Sequence, residues 1–212
     1  MERRIKYPRT PHLPDSPGAS RDDLRCGVPD SFRRDTVVVT EKMDGENTTL
    51  YRDGLHARSI DGRAHPSRSW VKGLQAQLGH TIPAGYRVCG ESLFAQHSLR
   101  YEDLPSYFMV FSVWDATNTC LSWSDTERFA AERGLECVPS VFVGEWRDDL
   151  LAGLRFDPST MEGFVVRSAA GFPFDRFADH VAKWVRRGHV QTDDHWMHGA
   201  VIPNGLASKG DR

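Results

Sequence analysis

Lys42 stands in the run Glu41-Lys42-Met43-Asp44-Gly45-Glu46-Asn47, between two stretches that read as β-strand. A lysine at a strand end, followed by a tight Asp-Gly turn, can be held in a pocket instead of sweeping through solvent. The glycine lets the backbone approach a ligand closely. A lysine amine is a nucleophile only without its proton, and its free pKa is about 10.4. Desolvation and neighbouring cations lower that value, and an electrophilic phosphorus would complete the reaction. Alone, K-x-D-G is four residues and an ordinary turn; its company singles it out. Glu91 follows Gly90 in a strand-like run, Glu162 opens the β run 163–168, and Lys183 lies inside Val181-Ala182-Lys183-Trp184-Val185-Arg186. Acids and lysines fit strand interiors poorly unless one face lines a polar cavity. Each alone would suit a solvent-facing strand position, but four such exceptions in this order are far less readily accidental.

The elements that must position them are mostly strands. Residues 36–40 (TVVVT) are β-branched, and Asp53-Gly54 between 47–52 and 55–60 is a hairpin signal. Further strands are expected over 86–93, 107–114, 141–146, 163–168 and 180–186. Two helices interrupt them. The first, 67–78, puts Trp70, Val71, Leu74 and Leu78 on one face and stops at Gly79. The second, 124–133, opens with a Ser124/Glu127 capping box and closes at Gly134. A third, short helix is expected over 193–198. Residues 8–30, rich in Pro, Gly, Ser and Asp, read as an irregular but ordered part of a lead-in over 1–34, and 207–212 as a frayed tail. This mixed order predicts an α+β fold with two largely antiparallel sheets. No linker divides the chain, so one domain is expected over 1–206.

Of 212 residues, 39% are apolar and 26% charged, a balance that builds a core without staples. No run approaches the roughly 20 apolar residues that span a bilayer, and the first residues carry no apolar h-region. Membrane spanning and Sec-type secretion are therefore not expected. Cys26, Cys89, Cys120 and Cys137 are far apart with no CxxC, which suits a reducing cytoplasm better than a disulfide framework or a cysteine zinc site. The net charge of −2 excludes nucleic-acid binding by bulk charge alone but leaves room for a local basic groove. Cations gather at Arg3, Arg4, Lys6 and Arg9, and again at Arg167, Arg176, Lys183, Arg186 and Arg187. His189, His195 and His198 form no tight ligand set, and hydrogen bonding within a short helix is the simpler role for them. Trp184 and Trp196 could stack on a base or pack in the core.

In order, Lys42 in EKMDG, Glu91 in CGESL, Phe111 in YFMVFSVWD, Glu162 in EGFVVR and Lys183 in AKWVR resemble motifs I, III, IIIa, IV and V of the covalent nucleotidyltransferases. That superfamily comprises DNA ligases, RNA ligases and mRNA-capping enzymes. The G-E, Y-F-x-x-F and E-G-F-V-V-R forms are most similar to the RNA ligase 2 type. The lead-in KYPRTPHLPDSPG and the late HVQTDDHWM resemble a bacterial and phage subset. The resemblance implies a nucleotidyltransferase (ATP-grasp-like) domain, two antiparallel sheets flanked by helices with the cleft between them. It implies an ATP-dependent RNA ligase with Mg²⁺ or Mn²⁺ as cofactor. Its substrate would be RNA with a 5′-phosphate and a 3′-hydroxyl, and a partner protein could supply substrate placement.

By the same resemblance, Lys42 would attack the α-phosphorus of ATP, and Lys183 would contact the α-phosphate and help depress the Lys42 pKa. Glu91 would accept from a ribose hydroxyl, Phe111 would stack on adenine, and Glu162 would help place the metal. Glu41, Asp44 and Gly45 flank the nucleophile in the nucleotide pocket. Arg58 fits motif Ia as a phosphate or ribose clamp, with Arg63 the competing choice. The last motif usually carries a second lysine where Val185 stands, and Arg186 would take over its phosphate contact. Arg9, His12 and Ser16 could cap the nucleotide pocket or grip a terminal phosphate. A DNA ligase or capping enzyme normally adds an OB-fold for which 212 residues leave no room. An idle RNA-end binding module is the remaining alternative.

Overall fold

The computed structural model describes residues 2–60, 65–188 and 201–208. In chain order these form α1 (Asp30–Arg34), β1 (Thr36–Glu41), β2 (Glu46–Tyr51), β3 (Gly54–Ala57), α2 (Ser69–Leu78) and β4 (Arg87–Ser92). There follow β5 (Phe108–Trp114), β6 (Thr119–Cys120), α3 (Trp123–Ala131), β7 (Glu136–Cys137) and β8 (Ser140–Glu145). The described elements end with β9 (Gly163–Ser168), β10 (Phe172–Pro173), α4 (Phe177–His180) and β11 (Val181–Val185).

A run of consecutive valines is stable as a strand when both faces are covered. β1 meets that condition: Val37, Val38 and Val39 are all fully buried. It lies inside a four-stranded antiparallel sheet of order β11-β9-β1-β8. Val37 and Val39 pack with Leu13, Phe32, Phe164, Val166 and Ala182 on the outer face. Val38, pointing the other way, joins Met43, Leu93, Met109 and Trp123. The second sheet has the order β10-β6-β5-β4-β2-β3, with the short β7 pairing parallel to β5. Its outer face buries Leu50, Val88, Phe108, Val110 and Val113 against Val71 and Leu78 of α2 and Phe129 of α3. The expected α+β class with two largely antiparallel sheets is the one observed.

Several boundaries differ from expectation. The cap of α3 is Ser122: its Oγ accepts from the Asp125 backbone N–H at 3.1 Å, so the helix starts ahead of the expected Ser124/Glu127 box. S-x-x-D at 122 competes with S-x-x-E at 124, and the earlier pair wins because it lets Trp123 be buried. Gly79 does not end α2 in a left-handed turn; its φ of −54° leads into a 3₁₀ turn. The hairpin pairs 46–51 with 54–57, and 177–180 is helical where strand was expected from residue 180. The helix expected over 193–198 lies outside the described residues, as do His189, His195, His198 and Trp196 and the tail from 209. The lead-in is ordered, with α1 at its end, and its residues 11–18 run along β11. Lys183 N donates to Pro11 O at 2.9 Å, Leu13 N to Lys183 O at 2.9 Å, and Gly18 N to Val185 O at 2.8 Å.

Candidate active site

Strand alternation decides which side chains reach the cleft between the sheets. Thr40 and Lys42, Val165 and Arg167, and Val181 and Lys183 line a cavity of about 710 Å³, while Val39, Phe164, Val166 and Ala182 face away into the outer core. The second sheet contributes Asn47, Glu91, Phe111, Ser112 and Cys120 to the same cavity. Phe111 owes its place to a register shift. β4 pairs Cys89 with Ser112 but Gly90 with Val110, so Phe111 is an extra residue. A bulge of this kind re-aims side chains, and here Phe111 and Ser112 both turn into the cavity.

Two glycines bring the charged groups together. The Lys42 N–H donates to Gly163 O at 2.9 Å, which ties the end of β1 to the start of β9 directly after Glu162. Gly163 has φ +155°, and a Cβ there would lie 2.1 Å from Trp184 O, so glycine permits β9 and β11 to close beside the acid. Glu162 is fully buried and its carboxylate pairs with the Lys42 ammonium, which keeps 22% of its side chain exposed. A Cβ on Gly45 would lie 2.5 Å from Ser92 O. Without one, the turn after Lys42 sits on β4, and Gly45 N–H donates to the Glu91 carboxylate at 3.2 Å. Asp44 accepts from Ser98 Oγ and Leu99 N–H, both at 2.7 Å, and so fastens the 98–101 loop to the same turn.

These charges act on one another. Burial alone lowers the Lys42 pKa, but the Glu162, Glu91 and Asp44 carboxylates outweigh it and hold the ammonium above its usual value. Burial drives Glu91 up to about 8; Lys42 opposes that rise, and Glu162 and Asp44 add to it. Burial and the positive charge of Lys42 bring Lys183 down to about 8, with Asp23 and Glu162 pulling the other way and Arg58 adding to the fall. Burial also raises Glu41. The site thus pairs a protonated lysine with a buried glutamate, beside a second lysine that holds its proton less tightly than usual.

Glu41, Lys42, Asp44, Gly45, Arg58, Glu91, Phe111, Glu162 and Lys183 all line this cavity. Arg186 is not among the lining residues; one residue past β11, it donates its N–H to Glu162 O at 3.0 Å. Arg63 lies outside the described residues. Trp184 packs in the core, 5.1 Å from the ring of Phe156, with its indole N–H on Asp15 O at 3.0 Å. Of the three lead-in residues, Arg9 reaches the cavity, while His12 is buried behind it and hydrogen-bonded to Ser16 at 2.7 Å. The sequence did not single out Tyr7, whose ring stands edge-on to Phe111 at 5.1 Å, nor the Arg68–Glu46 ion pair on the cavity wall. It also passed over Asn47, which lines the cavity with its amide oxygen buried and without a hydrogen-bond partner among the described residues. Val165 was legible in principle, two residues beyond Gly163 on the cleft side; Tyr7 had no periodic signal to mark it.

The two-sheet fold that forms this cleft is shared with solved RNA ligases. An archaeal ATP-dependent RNA ligase superposes with TM-score 0.52 at 19% identity, over 72% of this chain and 43% of that one. A Naegleria gruberi RNA ligase with PPi gives TM-score 0.52 at 16% identity, over 74% and 52%. A mutant of the same ligase with AMP and Mn gives 0.50 at 15%, again over 74% and 52%. At these identities the likeness is one of fold. This chain spans about half the length of the solved ligases it matches. No curated protein matches it in sequence. The family model for RNA ligase matches residues 35–185, which is most of the chain and contains every motif from Lys42 to Lys183. The chain belongs to the RNA ligase family.

Proposed function

We propose that this protein is an ATP-dependent RNA ligase that works through a lysyl-AMP intermediate. The observation that carries the reading is the Lys42–Glu162 pair inside a cleft that also holds Glu91, Phe111 and Lys183, in a member of the RNA ligase family. In the first step the Lys42 amine, once deprotonated, bonds to the α-phosphorus of ATP as the bond to pyrophosphate breaks. The AMP then passes to an RNA 5′-phosphate, freeing Lys42. A 3′-hydroxyl attacks that phosphate, loses its proton and expels AMP, sealing the strand.

Each side chain has a part suited to its surroundings. Lys183 offers positive charge where the α-phosphate gains negative charge. Phe111 on one sheet and Val165 on the other offer apolar surface to the base, and Glu91 offers an acceptor to the ribose. The Glu162 carboxylate holds the proton on Lys42, so engaging that carboxylate elsewhere is what unmasks the amine. Glu162 also fits a divalent cation: Mg²⁺ takes one or two carboxylates and completes its shell with water and substrate phosphates. When bound, Mg²⁺ or Mn²⁺ supplies Lewis-acid charge at the phosphate oxygens. The four cysteines, all free, suit a reducing cytoplasm. No helix among the described residues is long and apolar enough to cross a membrane.

Incubation with α-labelled ATP and Mg²⁺ is expected to give a covalent adduct that stays with the protein on a denaturing gel and, as a P–N bond, survives alkali but not acid; Lys42→Ala is expected to abolish it. An adduct that survives in that variant removes Lys42 from the mechanism. Adduct from GTP but not ATP points to capping chemistry. Tight binding of 5′-phosphorylated RNA with no AMP transfer points to a binding module.

A further inference from the structure

The lead-in reaches the cavity twice, through Tyr7 to Thr10 and through Asp23 and Leu24. Between these points its backbone brackets Lys183, bonded to both the N–H and the carbonyl of that residue, and Ser16 Oγ accepts from Val185 N–H at 2.9 Å. The strap is therefore fixed relative to the candidate phosphate-binding lysine. Arg9 sits on it with a directed guanidinium, which donates to Asp22 O at 2.8 Å and stands 3.9 Å from the Asp23 carboxylate. Asp23 in turn supports the positive charge of Lys183, and Arg9, Asp23 and Lys183 all line the one cavity. Half of the Arg9 side chain (51%) stays exposed, and the residue lines the cavity. Two of the other cavity arginines are committed: Arg68 pairs with Glu46, and Arg167 donates to Ser168 O at 3.1 Å and Leu121 O at 2.8 Å. The lead-in also exposes a cation at every third residue, Arg3, Lys6 and Arg9, while Arg4 and Tyr7 turn inward. A ridge of that kind ends at the cavity with Arg9.

We infer that Arg9 is a phosphate-binding residue of the active site, carried in by the lead-in to act beside Lys183. The inference rests on the nucleotidyl-transfer reading. A guanidinium presents paired N–H donors that match two phosphate oxygens, and the backbone carbonyl of Asp22 fixes its plane in advance. The anion is either the polyphosphate of ATP or the 5′-phosphate of the RNA, and both present the same chemistry.

Equilibrium binding to the full chain separates the two sources. One arm compares ATP with adenosine; the other compares a short oligoribonucleotide bearing a 5′-phosphate with the same strand bearing a 5′-hydroxyl. Arg9→Ala is expected to cut the preference for the phosphorylated form about tenfold in one arm, the loss of one charge-assisted contact, and Arg9→Lys to retain part of it. The arm that changes identifies the phosphate. A preference unchanged in both arms overturns the proposal. So does an equal weakening of phosphorylated and unphosphorylated ligands, which marks a purely structural arginine. Arg9→Gln replaces the alanine variant if that one fails to fold. Absence of the lysyl-AMP adduct in wild-type protein would count against the ligase reading, and the binding ratios would still judge Arg9.

Discussion

At the scale of residues, the site is a problem in charge placement. Lys42 pairs with a fully buried Glu162, and Glu91 and Asp44 crowd the same corner. Glu91 bears the cost, its pKa raised from 4.5 to about 8 chiefly by burial. The folded protein therefore binds that proton more tightly than the unfolded chain does. Its contribution to stability is complete below about pH 4.5 and is lost as the pH climbs through about 8. The melting temperature of the unliganded protein is expected to fall between about pH 5 and pH 8. Glu91→Gln, which cannot ionise, is expected to flatten that slope. An identical slope in the variant would show that another group controls it.

At the scale of elements, caps and glycines set where the chemistry lands. The Ser122 cap fixes the start of α3 and with it the burial of Trp123 beneath Arg167 of the cavity wall, 5.4 Å from the ring centroid. Ser122→Ala is expected to cost about 1 kcal/mol, the usual loss for an N-cap. The exposed Ser124, two residues on, should stay within about 0.5 kcal/mol of wild type when changed to alanine. Urea unfolding of the two variants decides between the caps, and equal losses would contradict the assignment. The β1, β9 and β11 runs were legible because β-branched stretches declare themselves. β6, β7 and β10 are two-residue strands that exist because tertiary neighbours offer them hydrogen bonds. No local pattern could announce them.

At the scale of the whole molecule, the lead-in acts as a strap across the edge of the first sheet. It covers β11, seats Tyr7 among Phe111 and Phe177, and is tied at its start by the Arg4–Asp53 ion pair at 2.7 Å. An exposed strand edge invites pairing with other chains. Deleting residues 1–18 is expected to lower the melting temperature, promote aggregation and abolish adduct formation. A truncated protein that melts unchanged and still accepts AMP would show that the strap is dispensable.

By themselves the residues determined the α+β class, the principal strands and the ordered set Lys42, Glu91, Phe111, Glu162, Lys183, because alternation and out-of-place charges are local properties that the chain displays one after another. They could not say that Asn47, Tyr7 and the Glu46–Arg68 pair border the same cavity, nor that of Arg9, His12 and Ser16 only Arg9 lines it, nor that Arg186 is not among its lining residues. Those are matters of where distant segments meet. Only packing brings a lead-in of no periodic pattern against β11, and only a single-residue register shift between β4 and β5 turns Phe111 inward.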